Sequence, residues 1–215
     1  MSTATLSTSP TNAPPLSLDA LEFVCTLVQN LSAIELDSSK GYLIEARLAN
    51  LARQCGFVTS TKLVQELRSK RQPALVGQVV DAMTTNETSF FRDIHPFDAL
   101  RTTVLPELRG LLGEQRELNI WSAACSSGQE LYSIAMLLRE HFPDFGSWNV
   151  KLLGTDLSDE ILERAHKASF SQIEVNRGLV ARLLIKYFER DGIKWQLRSD
   201  LKAMATFSKL NLIDR

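Results

Sequence analysis

The sequence predicts a chain in two parts: an all-helical N-terminal domain, then an α/β domain built on a parallel, doubly wound sheet. Three observations carry this expectation. Apolar residues recur at three- and four-residue spacing through the first half of the chain. At Leu118 the pattern switches to a short apolar run, "LNIWSAA", followed by a turn and a helical stretch. The same strand–turn–helix order repeats at "WNVKLLGTD", and βαβα alternation is the signature of a parallel sheet. With 215 residues the chain has the length for one good-sized domain or two small ones.

Taken in order, residues 1–17, "MSTATLSTSPTNAPPLS", are rich in Ser, Thr and Pro and carry no charged side chain. They lack the basic start and apolar core of a secretory signal and predict a disordered tail. Leu18, Leu21, Val24, Val28 and Leu31 then lie on one helical face, with Ser17 as the cap. A second helix fits Ser39 to Cys55, burying Ile44, Leu48, Leu51 and Cys55 and stopping at Gly56. A third covers Ser60 to Lys70, and Pro73 opens a fourth through Val76, Val79, Val80 and Met83. These four helices define a helical domain over residues 18–83.

Residues 84–117 read as a linker and lid. Their helix after His95-Pro96 turns Leu100, Val104, Leu108 and Leu111 inward and kinks at Pro106. The α/β domain spans residues 118–215. After the first strand and the turn "SSGQE" comes a helix with Leu131, Ile134, Leu138 and Phe142 on its inner face. The second strand ends in "GTD", and a helix from Ser158 follows through Ile161, Leu162 and Ala165. Leu179, Leu183 and Tyr187 mark a further helix. "IKWQL" alternates like an exposed antiparallel strand, in a small β subdomain around residues 189–202, and "MATFSKLNL" is the next strand of the main sheet. No internal repeat is present.

Composition sets limits. Hydrophobic residues make up 44% and charged residues 23%, ordinary globular values. No apolar run approaches the ~20 residues of a membrane span. A net charge of −1 gives no general attraction to nucleic acid or anionic lipid. Cys25, Cys55 and Cys125 are odd in number and far apart, and His95, His141 and His166 show no metal-ligand spacing, so neither a disulfide framework nor a metal is expected. The expected compartment is the reducing cytoplasm.

In an open parallel sheet, ligands bind beyond the carboxyl ends of the strands. "SAACSSGQE" at the end of the first strand is a run of small residues that lets backbone approach a ligand. The helix starting near Gln129 offers its N-terminal amides. "GTD" places Asp156 where a carboxylate accepts hydrogen bonds from ribose hydroxyls. Only Gly128 is present in the loop, so neither glycine-rich phosphate motif is formed, and a nucleoside ligand without phosphates, such as S-adenosylmethionine, fits better. Taken singly, each piece has a plainer reading. Asp156-Leu157-Ser158 is also a routine helix start, Glu130 suits the macrodipole of any helix, and Thr84–Arg92 reads as a capped helix end. Cys125 is read as a small loop residue, since no base is placed to activate it.

Together, "TTNETSFFRD", "IWSAACSSGQELYSIAMLL" and "LLGTDLSDEILERAHKASF", in this order behind a helical domain, resemble the chemotaxis protein methyltransferases. The resemblance runs from about Leu18 to Leu212. It implies a Rossmann-like class I methyltransferase domain that moves a methyl group from S-adenosylmethionine to glutamate side chains of bacterial chemoreceptors. It places cofactor contacts on Asn86, Thr88, Arg92, Glu130, Asp156, Asn211 and Leu212, with Arg92 also the catalytic residue. By the same resemblance, a basic helix of the N-terminal domain touches the substrate, and Lys40, Arg47 and Arg53 match it. Arg47 and Arg53 do not share a helical face, so a plain solvated helix explains these charges equally well. Phe90 and Phe91 are expected to pin the segment that holds Asn86, Thr88 and Arg92 at the mouth of the site.

Three departures from the family pattern qualify the match. Leu131 stands where a proline is usual. The turn "RDGI" keeps only Gly192 where some members carry a longer glycine-rich loop, which implies a member independent of a receptor C-terminal pentapeptide. The sequence stops just after the third main strand, which implies a truncated methyltransferase domain, and activity of these 215 residues alone is left open. The partner implied is the cytoplasmic domain of membrane chemoreceptors, with the protein a monomer and neither nucleic acid nor membrane insertion involved. A non-catalytic module binding cofactor or receptor, or a methyltransferase with another acceptor, are the alternatives.

Overall fold

The computed structural model describes residues 15–70 and 72–214, the Ser38 side chain excepted, and most of the expected tail lies outside them. The chain divides into two units, one ending at Thr84 and the next beginning at Thr85.

The first unit is all-helical: α1 (Leu18–Ser32), α2 (Gly41–Gln54), α3 (Ser60–Lys70) and α4 (Pro73–Met83). Ser17 caps α1, its hydroxyl accepting from the Ala20 N–H. Pro73 opens α4, where its missing N–H costs nothing. Val24, Val28, Leu48, Leu63 and Val79 are fully buried at the centre of this unit. The inward face of α1 differs from the expectation. Ala20, Val24 and Val28 are buried, whereas Leu18 is 80% exposed and Leu31 39% exposed. The chain before the helix supplies the apolar contact instead: Leu16 is buried, and its N–H donates to Glu45 Oε1 at 3.1 Å.

The second unit begins with α5 (Ile94–Ala99), a π-helical turn over Leu100–Val104, and α6 (Leu105–Leu111). In the π turn the Leu105 N–H donates to Leu100 O, five residues back. That wider turn accommodates Pro106 and shifts the helix phase by a residue. Leu105, not Val104, is therefore the buried residue, and Leu111 is exposed, correcting the inward face read from spacing.

Next come β1 (Glu117–Ala123), α7 (Gln129–His141), β2 (Asn149–Asp156) and α8 (Asp159–Lys167). Then follow β3 (Ser169–Ser171), α9 (Gln172–Asn176), α10 (Ala181–Tyr187), β4 (Phe188–Asp191), β5 (Lys194–Leu197), α11 (Ser199–Lys202) and β6 (Ala205–Lys209). The main sheet has the order β1-β2-β6 with all pairs parallel, and Ala123 pairs with Thr155 while Asp156 pairs with Lys209. The three carboxyl ends therefore meet at one end of the sheet. Helix α7 is apolar nearly all round, from Leu131 to Leu138, because it packs between the sheet and neighbouring elements. The second sheet is a small antiparallel one, β3-β5-β4; β4 and β5 fall at the expected residues around 189–202, whereas β3 joins them from Ser169–Ser171, outside that range. Its β4–β5 hairpin has a two-residue loop, Gly192-Ile193, with Gly192 at φ +57. No described helix is long and apolar enough to cross a membrane.

Candidate functional site

The loop after β1 governs the site. Ala124, Ser126 and Gly128 have φ of +58, +50 and +85, an alternation that folds the loop tightly back over the strand ends, where the Gly128 N–H donates to Cys125 O at 3.0 Å. The loop is tied to β2 twice. The Cys125 N–H donates to Thr155 O at 2.9 Å, and the Ser126 N–H donates to Asp156 Oδ2 at 2.8 Å. Gly128 caps α7, and a Cβ there would come within 3.0 Å of the Phe207 ring and 3.2 Å of Tyr132, so glycine lets the helix start close against β6.

Asp156 is buried, and its other oxygen accepts from the Ser158 N–H at 3.2 Å. The carboxylate is thus held by two backbone amides, and about two of its four acceptor positions stay uncommitted to them. Its backbone carbonyl accepts from the Leu210 N–H, which brings Asn211 and the exposed Leu212 to the same end of the sheet. Glu130, on the first turn of α7, is exposed, and its Oε1 accepts from Ser122 Oγ at 2.7 Å. The first motif joins this group through Ser126, whose hydroxyl donates to Asn86 O at 3.1 Å. Arg92 is exposed and folds back on its own segment, Nη1 donating to Glu87 O at 2.7 Å. Thr88 is half-buried between Asn86 and Phe90 in the same segment.

The two phenylalanines anchor the segment. Phe90 is fully buried, edge-on to Phe170 at 5.0 Å and to Phe188 at 5.6 Å, and Phe91 is edge-on to Phe97 at 5.1 Å. Ser133 accepts the Phe91 N–H at 3.0 Å. Asn86, Glu130, Asp156, Asn211 and Leu212 thus gather around the strand ends, with Thr88 and Arg92 on the segment that Asn86 begins.

Cys125, beside these carboxylates, is unsuited to nucleophilic work. Burial, helped by the charge of Asp156, pushes its thiol up to about 12. Two described cavities lie elsewhere. One, of about 210 Å³, is lined by Phe91, Phe97, Met136 and Leu183, and the other, of about 270 Å³, by Tyr132, His166 and Phe207. Among the described residues no cluster of His, Cys, Asp and Glu is placed to hold a metal.

The three basic residues of the first unit are engaged locally. Arg47 Nη1 donates to Met83 O at 2.6 Å, at the carboxyl end of α4. Lys40 pairs with Asp37 at 3.7 Å, and Arg53 donates to Asn50 Oδ1. Ser122, Ser126 and Ser133 escaped the sequence reading. Their serines were visible in the loop and helix, but their partners, eight to forty-two residues away, are not encoded in local spacing.

Comparison with known proteins agrees with this architecture. Residues 19–84 match the family model described as the CheR methyltransferase all-alpha domain, and residues 86–215 match the CheR methyltransferase SAM binding domain. The chain is 40% identical over 197 residues to chemotaxis protein methyltransferase 1 of Pseudomonas aeruginosa, covering 90% of this chain and 71% of that protein. It is 36% identical to a chemotaxis protein methyltransferase of Pseudomonas putida, covering 87% of this chain and 69% of that one. It is also 36% identical to one from Borreliella burgdorferi, covering 93% and 71%.

Proposed function

The chain belongs to the CheR methyltransferase family, and from that premise we propose that it methylates glutamate side chains on the cytoplasmic domain of bacterial chemoreceptors. The observation that supports this most is the hydrogen-bond chain from Asn86 O through Ser126 to Asp156, which joins the first motif to the strand ends.

The donor set fits S-adenosylmethionine. Asp156, fixed by two amides, suits a ribose diol, and Glu130 suits a cationic amino group. Asn211 and Leu212 offer a polar edge and an apolar face to the base. When bound, this group supplies a methyl on a positively charged sulfur, open to attack by a carboxylate. A glutamate carboxyl, with a pKa of about 4.3, is already ionised at neutral pH, so the chain needs no general base. Its residues work by orientation and water exclusion. The planar fork of Arg92 can hold a carboxylate of either reactant, which makes it the catalytic residue of this reading. Lys40, Arg47 and Arg53 are the proposed receptor contacts, with Arg47 also holding the end of α4. The two-residue Gly192-Ile193 loop supports independence from a receptor pentapeptide. The protein acts as a cytoplasmic monomer in this reading.

Transfer of labelled methyl to receptor membranes, with and without the C-terminal pentapeptide, tests the reading. Arg92→Ala should lower transfer about ten- to hundredfold, the worth of a charge-assisted hydrogen bond. Cofactor binding with no transfer to any receptor glutamate refutes the acceptor. A strong loss on removing the pentapeptide refutes tether independence.

A further inference from the structure

We infer that Arg177 and Gly178 are positioning residues for Arg92, forming a strap that clamps residues 87–91 in place. The inference rests on the reading of Arg92 given above and names the part of the fold that holds it.

Gly178 has φ +86, and a Cβ built on it would lie 1.9 Å from Phe90 O and 3.0 Å from the Phe90 carbonyl carbon. Backbone here rests on backbone, an approach only glycine permits. One residue earlier, Arg177 Nη2 pairs with Glu87 Oε1 at 3.1 Å, and the carbonyl of Glu87 accepts from Arg92 Nη1 at 2.7 Å. Glu87 therefore holds the strap with its side chain and Arg92 with its backbone. Both ends of the strap are anchored, by buried Val175 and buried Leu179. Helix α9 just before it is fixed by a capping box between Ser171 and Glu174.

The clamped segment is one that would not hold itself. Phe91 and Asp93, either side of Arg92, sit at φ +48 and +55, a left-handed backbone disfavoured for residues other than glycine. Such conformations persist where surrounding contacts over-determine them. Ser133 supplies one contact from α7, Phe170 and Phe188 grip the Phe90 ring, and the strap closes over the backbone. Arg177 thus acts through Glu87 to pre-set the guanidinium of Arg92, without touching the reactants.

The test uses the full chain and the variants Arg177→Leu, Arg92→Ala, their double, and the charge swap Glu87→Arg with Arg177→Glu. S-adenosylhomocysteine affinity is read by calorimetry, kcat and KM by methyl transfer, and folding by thermal unfolding. Both ends of the Arg177–Glu87 pair are 57% exposed, so Arg177→Leu should leave the fold intact. It should lower about two- to fivefold whichever parameter Arg92→Ala lowers, as an exposed ion pair allows. That loss should vanish in the Arg92→Ala background and be regained in the swap, because the two residues act as one unit. Gly178→Ala should lower the same parameter by more than Arg177→Leu does. An Arg177→Leu effect that is absent, that persists without Arg92, or that the swap does not regain overturns the strap alone. An Arg92→Ala variant with normal affinity and normal transfer overturns the reading of Arg92 and the strap with it.

Discussion

Replacing Asp156 with alanine tests its anchoring of the β1 loop apart from its proposed contact with the ribose. The side chain is buried and accepts from the Ser126 N–H at 2.8 Å and the Ser158 N–H at 3.2 Å. Ser126 and Ser158 are themselves buried, so alanine leaves two donors without a partner. Hydrogen bonds to a charged group contribute about 1.5–3 kcal/mol each, which places the loss of stability from the two at roughly 3–6 kcal/mol. In a chain of this size that lowers the melting temperature by roughly 6–24 °C. Asparagine is no remedy, because its amide NH2 must face one of the two N–H donors. Urea unfolding, followed by calorimetry with S-adenosylhomocysteine at a temperature where the variant is folded, reads the two roles apart. The expected result is a lower midpoint at unchanged slope, together with weakened binding. An unchanged midpoint refutes the anchoring of the β1 loop through Asp156. A lowered midpoint with normal affinity in the folded protein refutes the ribose role and leaves Asp156 a structural residue only.

Glu140 gives a pH signature. Hydrogen bonds from Lys186 and Tyr187, aided by Arg182, hold its carboxyl down to about 2, against a usual value of 4.5. A depressed carboxyl contributes stability in full above pH 4.5 and loses it as pH falls toward 2. Its cationic partners are more than half exposed, so the advantage of wild type over Glu140→Gln should be about 1 kcal/mol at pH 7, fading across that window. A pH-independent difference between the two contradicts the network. At Gly154, an added Cβ would lie 2.6 Å from the Phe207 ring and 3.0 Å from Cys125 Sγ. The ring is hemmed in by Tyr132 and His166, so Gly154→Ala should cost about 1–3 kcal/mol by overpacking, and an unmoved urea midpoint rules this out.

Much of the architecture was legible because it rests on local rules. The four helices of the first unit, the strand–helix alternation from Leu118 and the β4–β5 hairpin all follow from spacing, caps and turn residues, whereas β3 at Ser169–Ser171 joins that hairpin only through packing. What failed was phase. Leu18 and Leu31 fit a helical face but lie at its ends, where Leu18 is 80% and Leu31 39% exposed, and Leu16 is buried from outside the helix. Val104 gave way to Leu105 because a π turn, invisible in a 3.6-residue pattern, inserts itself before Pro106.

The sequence by itself determined the chemistry on offer: a loop of small residues, two carboxylates at strand and helix ends, and a polar segment pinned by two phenylalanines. Those are properties of residue type and of spacing within one element, where periodicity and capping act. Tertiary structure alone decided how they are joined. The serine hydroxyl that reaches Asn86, the glycine that rests on Phe90 and the arginine that grips Glu87 bridge residues forty to ninety positions apart. Chain packing selects such contacts, because they depend on which backbones are brought within a few ångströms, and no local pattern encodes that distance.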